Sequence, residues 1–477
     1  MSKLLIDGQW VAPKSGEMID VINPCTGLVF TQIARGSSVD VDLAVQAAQK
    51  ALAGTWGAMT ATERGRILQR LGMLLLDHGE EFAQLEAQDT GKPMSVARND
   101  VTAVARYFEF YGGAADKVHG ETIPYLEGYN VNVVRIPHGV TGHIIPWNYP
   151  AQMLGRTLAP ALAMGNAAVV KPAEDACLTT LRLGELAIEA GLPPGALNII
   201  TGYGAEAGAA LTAHPGVNFI TFTGSTSTGT MVQRAAAENN VPCTLELGGK
   251  SPQIVFDDAN LDKAVPIIVK AIVQNAGQTC SAGSRLLIQE SIYDEVVARV
   301  AELFKTVVVG TPEMDRDCGP LINAAQHEKV SSCVQQALDS GVPLIASGSL
   351  APDLPEGGYF VPPAFFGPVP REHFLANREV FGPVLSAMPF TDEADAIALA
   401  NATDYGLVAG VWTESGSRLM RMANGIQSGQ VFLNCFGAGG GVELPFGGVK
   451  KSGYGREKGM SALEEMSTTK TIVQHYL

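Results

Sequence analysis

Hydrophobic and polar positions change period several times along this 477-residue chain. Between about 139 and 247, short apolar runs alternate with longer stretches in which apolar residues recur every three or four positions. That alternation predicts successive β-α-β units and a parallel sheet. Strands are expected near 140–145, 167–171, 197–200, 219–222 and 244–247, with helices near 151–163, 177–190, 205–213 and 226–239. Upstream, 39–53, 62–76 and 103–115 carry apolar residues at helical spacing, so the first hundred residues are expected to be mainly helical and to lean on the same sheet. After Ser251-Pro252 a second alternation begins, with helices near 261–276, 293–307 and 324–340 and strands at 286–289 and 430–433. It predicts a second α/β domain. Segments 122–137 and 469–474 are β-branched without helical period, and are expected to pair with each other or with a neighbouring subunit.

Composition narrows the class of protein. A hydrophobic share of 46% with 17% charged residues fits a soluble globular chain and excludes both disorder and a multi-span membrane protein. The net charge of −15 repels phosphate backbones and anionic lipid heads, so neither nucleic acid nor a membrane surface is an expected partner. The opening run Leu4-Leu5-Ile6 is too short for a secretory leader. Seven scattered cysteines, without C-x-x-C spacing or interleaved histidines, predict neither disulfides nor zinc and point to a reducing cytoplasm.

Three kinds of local chemistry stand out. Gly202-Tyr203-Gly204 and Gly224-Ser225-Thr226-Ser227-Thr228-Gly229 each follow a predicted strand, and the second opens a helix whose backbone N–H groups suit a phosphate. Neither is a clean G-x-G-x-x-G, so a plain structural turn is the competing reading. Lys171-Pro172-Ala173-Glu174 ends another strand, on the edge where open parallel sheets bind ligands. Glu174 there would accept from ribose hydroxyls and repel a 2′-phosphate, favouring NAD over NADP; the bland reading is a surface charge pair. Cys280, in Gly277-Gln278-Thr279-Cys280-Ser281-Ala282-Gly283, is crowded by small residues that leave room for substrate and offer N–H donors to an oxyanion. A buried hydrophobic thiol is the alternative. Glu246, between Leu245 and Leu247, would have a raised pKa if buried, which suits a base near neutrality.

These pieces, with Pro146-Trp147-Asn148-Tyr149-Pro150, Glu379-Val380-Phe381-Gly382-Pro383-Val384 and Pro445-Phe446-Gly447-Gly448-Val449-Lys450-Lys451-Ser452-Gly453, occur in an order that closely resembles the aldehyde dehydrogenase superfamily across nearly the whole chain. The resemblance implies an α/β fold with a Rossmann-like cofactor domain (1–118 and 138–248), a catalytic domain (249–455) and a small β oligomerisation element (119–137 and 456–477). It implies Cys280 as nucleophile, Asn148 as oxyanion donor and Glu246 as the base that hydrolyses a thioester. Glu379 and Phe381 match positions that hold the nicotinamide ribose and ring. Lys171, Glu174, Gly204, Gly224 and Ser225 fall at the adenosine ribose and pyrophosphate, and Trp147 at the adenosine end. A homodimer or homotetramer is implied, with NADP less favoured than NAD.

Two substrate readings follow. Arg156, eight residues beyond Asn148, sits where relatives resembling succinic semialdehyde dehydrogenases carry arginine; its guanidinium would fork onto a substrate carboxylate, or else form a local salt bridge. Tyr149, Gln152 and Met153 would line the same tunnel. Phe436 and the bare Gly437-Ala438-Gly439-Gly440-Gly441 run instead suggest a roomy entrance for a bulky or aromatic aldehyde. Outside dehydrogenation, the alternatives are a cofactor-independent thiol esterase and a non-catalytic structural member of the family. Intact Cys280, Glu246 and Asn148 argue against the latter, and Glu246 argues against acyl transfer to coenzyme A.

Overall fold

The computed structural model describes residues 3–437 and 441–477. Two large parallel-sheet layers carry the molecule. In the first sheet the strand order is Gln9–Val11, Leu4–Ile6, Leu197–Ile199, Ala167–Pro172, Val140–Ile145, Phe219–Thr223, Cys243–Glu246 and Gly453–Tyr454. Its five central strands are mutually parallel and are those expected from the apolar runs. Numbered along the chain they lie in the order 3-2-1-4-5, the doubly wound arrangement whose switch point falls between the first and fourth. Every residue of Val140–Ile145 and Ala167–Pro172 is buried, as strands covered by helices on both faces must be.

The second sheet runs Leu344–Ser347, Ala364–Phe366, Val384–Phe390, Arg285–Gln289, Pro252–Val255, Val408–Trp412 and Gln430–Leu433, parallel except for its first strand. A third, antiparallel sheet joins Glu121–Thr122, Tyr129–Pro137 and Ser467–His475, the last two paired from Ser467 opposite Pro137 to His475 opposite Tyr129. The two isolated β-branched segments therefore pair with each other within one chain.

Three expectations are corrected. The N-terminal region is not helical at its start: strands Leu4–Ile6, Gln9–Val11, Met18–Asn23 and Leu28–Ala34 precede the first helix, Ser38–Ala53. Asp7 and Gly8, both at positive φ, form the two-residue hairpin turn that an Asp-Gly pair favours. The helix expected at 205–213 is a π-helical turn, Gly204–Gly208, followed by the short helix Ala209–Thr212. The helix expected to reach 276 ends at Val273, because Asn275 and Ala276 adopt left-handed backbone angles (φ 50° and 52°). That reversal turns the chain towards Cys280. Among the described residues no helix is long and apolar enough to cross a membrane.

Candidate active site

The carboxyl ends of three adjacent strands build one wall of the site. Val140–Ile145 runs out into Pro146-Trp147-Asn148, Phe219–Thr223 into Gly224-Ser225, and Cys243–Glu246 ends on Glu246 itself. The first two flank the switch point, where parallel sheets leave a crevice, and the third lies next to them. The opposite wall comes from segments entering the second sheet: Cys280 precedes Arg285–Gln289, and Glu379 and Phe381 precede Val384–Phe390. Trp147, Asn148, Gly224, Ser225, Glu246, Cys280, Glu379 and Phe381 all line one cavity. A second cavity, lined by Tyr107, Tyr149, Met153, Arg156 and Phe446, also reaches Cys280. The thiol thus stands where two cavities meet.

Asn148 is held beside that thiol. Its Nδ2 donates to the Gln278 carbonyl at 2.9 Å, and its own carbonyl accepts from Asn275 Nδ2 at 2.9 Å and Lys92 Nζ at 3.3 Å. Asn275 is one of the two residues at left-handed φ, so the reversal places its amide against Asn148. Tyr149 bonds the Thr279 hydroxyl at 2.9 Å, adding a second tie to the cysteine loop. Gly249 packs so closely that a Cβ would collide with the Cys280 carbonyl oxygen.

Burial pushes the Cys280 thiol up to about 12, with Glu246 and Glu379 adding to the rise and Arg156 opposing it. The thiol is therefore protonated at neutral pH and must lose its proton before it attacks. Glu246 is pushed up to about 8, chiefly by burial, with Glu457 raising it and Arg156 and Arg456 lowering it. Its Oε2 lies 3.3 Å from Arg156 Nη2, and among the described residues neither carboxylate oxygen has a well-directed hydrogen-bond donor. A buried carboxylate lining the same cavity as the thiol can serve as base for an attacking water.

Glu379 accepts from the Gly249 N–H at 2.8 Å, and burial raises it to about 7. A Cβ at Gly248 would run into the Glu379 carboxylate, so the glycine leaves that side chain its present place. Phe381 takes positive φ (59°) and meets Trp147 edge to face at 5.4 Å. Trp147 lines the same cavity as Cys280 and Glu379, with only Pro146 between it and the strand Val140–Ile145. Lys171 Nζ pairs with Glu174 at 2.6 Å, and Glu174 accepts from the Gly204 N–H at 3.4 Å; this cluster lies at the carboxyl end of the strand that pairs with Val140–Ile145. Ser225 caps the helix Thr226–Glu238 by accepting from the Thr228 N–H at 3.2 Å.

The aldehyde dehydrogenase family model matches residues 10–472. The chain belongs to the aldehyde dehydrogenase family. A relative in Arabidopsis thaliana, aldehyde dehydrogenase family 2 member B4, mitochondrial, is 43% identical, with 99% of this chain and 88% of that protein aligned. Benzaldehyde dehydrogenase, mitochondrial, of Antirrhinum majus is 41% identical over the same shares. Among solved structures, a Burkholderia cenocepacia protein provisionally assigned as an aldehyde dehydrogenase is similar at TM-score 0.99 and 58% identity, with both chains covered in full. The NAD+ complex of the aldehyde dehydrogenase from Bacillus cereus follows at TM-score 0.97 and 38% identity, covering 100% of this chain and 97% of that one.

In this aldehyde dehydrogenase Arg156 does line the second cavity, but its guanidinium is engaged on both flanks: Nη2 faces Glu246, and Nε pairs closely with Glu457 Oε2. The local salt bridge, not an open fork, is what the sequence alternatives become. Phe436 packs on Phe432 (5.6 Å between ring centroids) beside Leu407, Val408 and Phe446, and it is Phe446 that lines the cavity. Residues 438–440 of the glycine run lie outside the described residues. Sequence reading missed Glu457 and Lys92. Glu457 sits in the charged run Arg456-Glu457-Lys458, which looks like solvated surface, yet it is only 2% exposed. Lys92 is buried between Glu86 (2.9 Å) and Asp100 (2.6 Å), and nothing in its local sequence marks it.

Proposed function

We propose that the enzyme oxidises a neutral, bulky or aromatic aldehyde to its carboxylic acid with NAD, through a covalent thiohemiacetal and thioester on Cys280. The observation that carries this reading is the placing of Cys280 at the junction of two cavities, with Asn148 and Glu246 flanking it in one and an aromatic lining in the other. The crevice at the switch point fits a dinucleotide. Gly248 leaves a cradle over Glu379 that a side chain would fill, and the Lys171–Glu174 pair stands at the carboxyl end of the neighbouring strand to take ribose hydroxyls. Glu174 favours NAD over NADP by repelling a 2′-phosphate. When bound, NAD supplies the hydride acceptor.

The chain's own residues do the rest. Cys280 gives its proton to water in the cavity, and the thiolate adds to the aldehyde carbonyl. Asn148 Nδ2, whose second proton is not committed to Gln278, and the Cys280 N–H stabilise the oxyanion. After oxidation, Glu246 removes a proton from a water that attacks the thioester, and Cys280 leaves as the acid departs. Tyr107, Tyr149, Met153 and Phe446 supply the apolar wall against which an aromatic group would pack. A semialdehyde held by Arg156 is the less favoured reading, since a substrate carboxylate would have to displace Glu246 or Glu457. Residues 1–118 with 138–248 act as the cofactor domain and 249–455 as the catalytic domain. Elements 119–137 and 456–477 form the assembly surface of a homodimer or homotetramer, where Tyr125, Leu126, Ile472 and Val473 are exposed. Seven free cysteines suit a reducing cytoplasm.

The test is the initial rate of reduced-cofactor formation with NAD and NADP, using benzaldehyde, an aliphatic aldehyde and a carboxylate-bearing semialdehyde, alongside Cys280→Ala. NAD-dependent turnover of benzaldehyde that vanishes in Cys280→Ala is the expected result. Preference for the semialdehyde would overturn the substrate reading, and ester cleavage without cofactor as the sole activity would overturn the reaction.

A further inference from the structure

One group in the site is engaged by neither the oxyanion nor the hydride chemistry: the Arg156 cation. It is 3% exposed on Pro150–Ala163, a helix in which Gln152 alone escapes full burial, so its position is set by packing as much as by charge. Its Nε lies against Glu457 Oε2 in a buried ion pair, Nη1 approaches Met153 Sδ at 3.5 Å, and the guanidinium lies over the Phe446 ring at 4.3 Å. Three contacts thus fix the plane of the fork. The remaining nitrogen, Nη2, reaches Glu246 Oε2 at 3.3 Å. Glu246 and Glu457 are each about 2% exposed, so neither exchanges this partner for bulk water.

We propose that Arg156 is a positioning residue for deacylation: anchored by Glu457 and Phe446, it holds the Glu246 carboxylate at the meeting point of the two cavities. This rests on the reading of Glu246 as the hydrolytic base. The geometry is lopsided, and that is what makes it useful. Glu457 takes the closer ion-pair contact, and among the described residues no directed hydrogen bond ties either carboxylate, so the longer contact leaves Glu246 open to an incoming water. An arginine forked symmetrically onto Glu246 would block the base.

Charge has the same sense. The groups facing Glu246 are Arg156, Glu457, Arg456 and Cys280, with Glu379 and Lys329 on the same cavity. Of these Arg156 gives the largest opposition to the effect of burial on Glu246. Without it, burial and Glu457 both favour the protonated acid, and the acid limb of hydrolysis has to move to higher pH. Each unit of that movement lowers the rate about tenfold at pH values below the limb.

The experiment compares Arg156→Met, Arg156→Lys and Glu246→Gln with the unsubstituted enzyme, using benzaldehyde and NAD. Two quantities are read: the pre-steady-state burst of reduced cofactor, which reports acylation, and the pH profile of steady-state kcat, which reports hydrolysis. Arg156→Met is expected to keep a burst, lose steady-state turnover, and displace the acid limb of kcat upward by about one unit or more. Arg156→Lys keeps the cation and is expected to return part of that displacement, which a general packing defect would not do. An acid limb left in place in both variants overturns the proposal. So does a selective rise in KM for a carboxylate-bearing aldehyde with kcat and its pH profile unmoved, since that is the behaviour of a substrate clamp. Failure of the underlying reading looks different: Glu246→Gln would then turn over normally, whatever the arginine variants do.

Discussion

Replacing Asn148 with alanine isolates the oxyanion donor from the scaffold that carries it. One Nδ2 proton is spent on the Gln278 carbonyl at 2.9 Å, and the other is the one available to the oxygen that becomes negative when Cys280 adds. The backbone of Asn148 is held independently of its side chain, through its carbonyl, by Asn275 Nδ2 at 2.9 Å and Lys92 Nζ at 3.3 Å. Truncation at Cβ therefore leaves the loop anchored. Gln278 O also keeps a second donor, Asn275 Nδ2 at 3.3 Å, so the stability cost is that of one hydrogen bond, about 1 kcal/mol. The catalytic cost is larger: removal of one oxyanion donor costs about 2.7–4 kcal/mol, or ~10²–10³ in rate. Stopped-flow measurement of the reduced-cofactor burst at saturating benzaldehyde and NAD reads that step directly. Alkylation of Cys280 by iodoacetamide, which needs the thiol but no oxyanion, serves as the control and should be unchanged. A burst in Asn148→Ala as fast as in the unsubstituted enzyme would refute the reasoning.

Other perturbations separate the remaining parts. Glu246→Gln should retain the burst while steady-state turnover falls ~10²–10⁴-fold, as expected for loss of a general base. In the unsubstituted enzyme kcat should rise with pH towards about 8, because the base works only as the carboxylate and burial holds it protonated below that point; a flat profile from pH 6 to pH 9, measured with chemistry limiting, would contradict this. Gly248→Ala pushes a methyl group into the Glu379 carboxylate and should raise the KM for NAD about tenfold, with Cys280 alkylation unaltered. Lys92→Met leaves Glu86 and Asp100 buried without their cation, and should lower stability by about 3–5 kcal/mol, read as a lower Tm by calorimetry.

Local pattern was enough for the parts of the molecule that local physics determines. The five central strands are short apolar runs buried on both faces, and their doubly wound order places Asn148, Gly224 and Glu246 at neighbouring strand ends. The hairpin at Asp7-Gly8 was also written locally, in a turn pair that needs no long-range contact, but strands of three residues fall below the length at which alternation stands out. The chain reversal at Asn275 and Ala276 could not be read in the same way. Neither residue is a glycine, and the tertiary contact at the reversal is the hydrogen bond from Asn275 Nδ2 to the Asn148 carbonyl. Arg156 was visible as a candidate, whereas its two carboxylate partners come from a strand end and a C-terminal loop that only the folded chain brings together. Charge in the sequence marks an ionisable group; its partner is a property of the fold.

The most direct test of the central claim is intact-mass and peptide analysis of Glu246→Gln after mixing with benzaldehyde and NAD. The account predicts one added acyl group per chain, located on the peptide that contains Cys280, formed together with one equivalent of reduced cofactor and absent when NAD is omitted. Reduced cofactor without an acyl group on Cys280, or an acyl group on another residue, would contradict it.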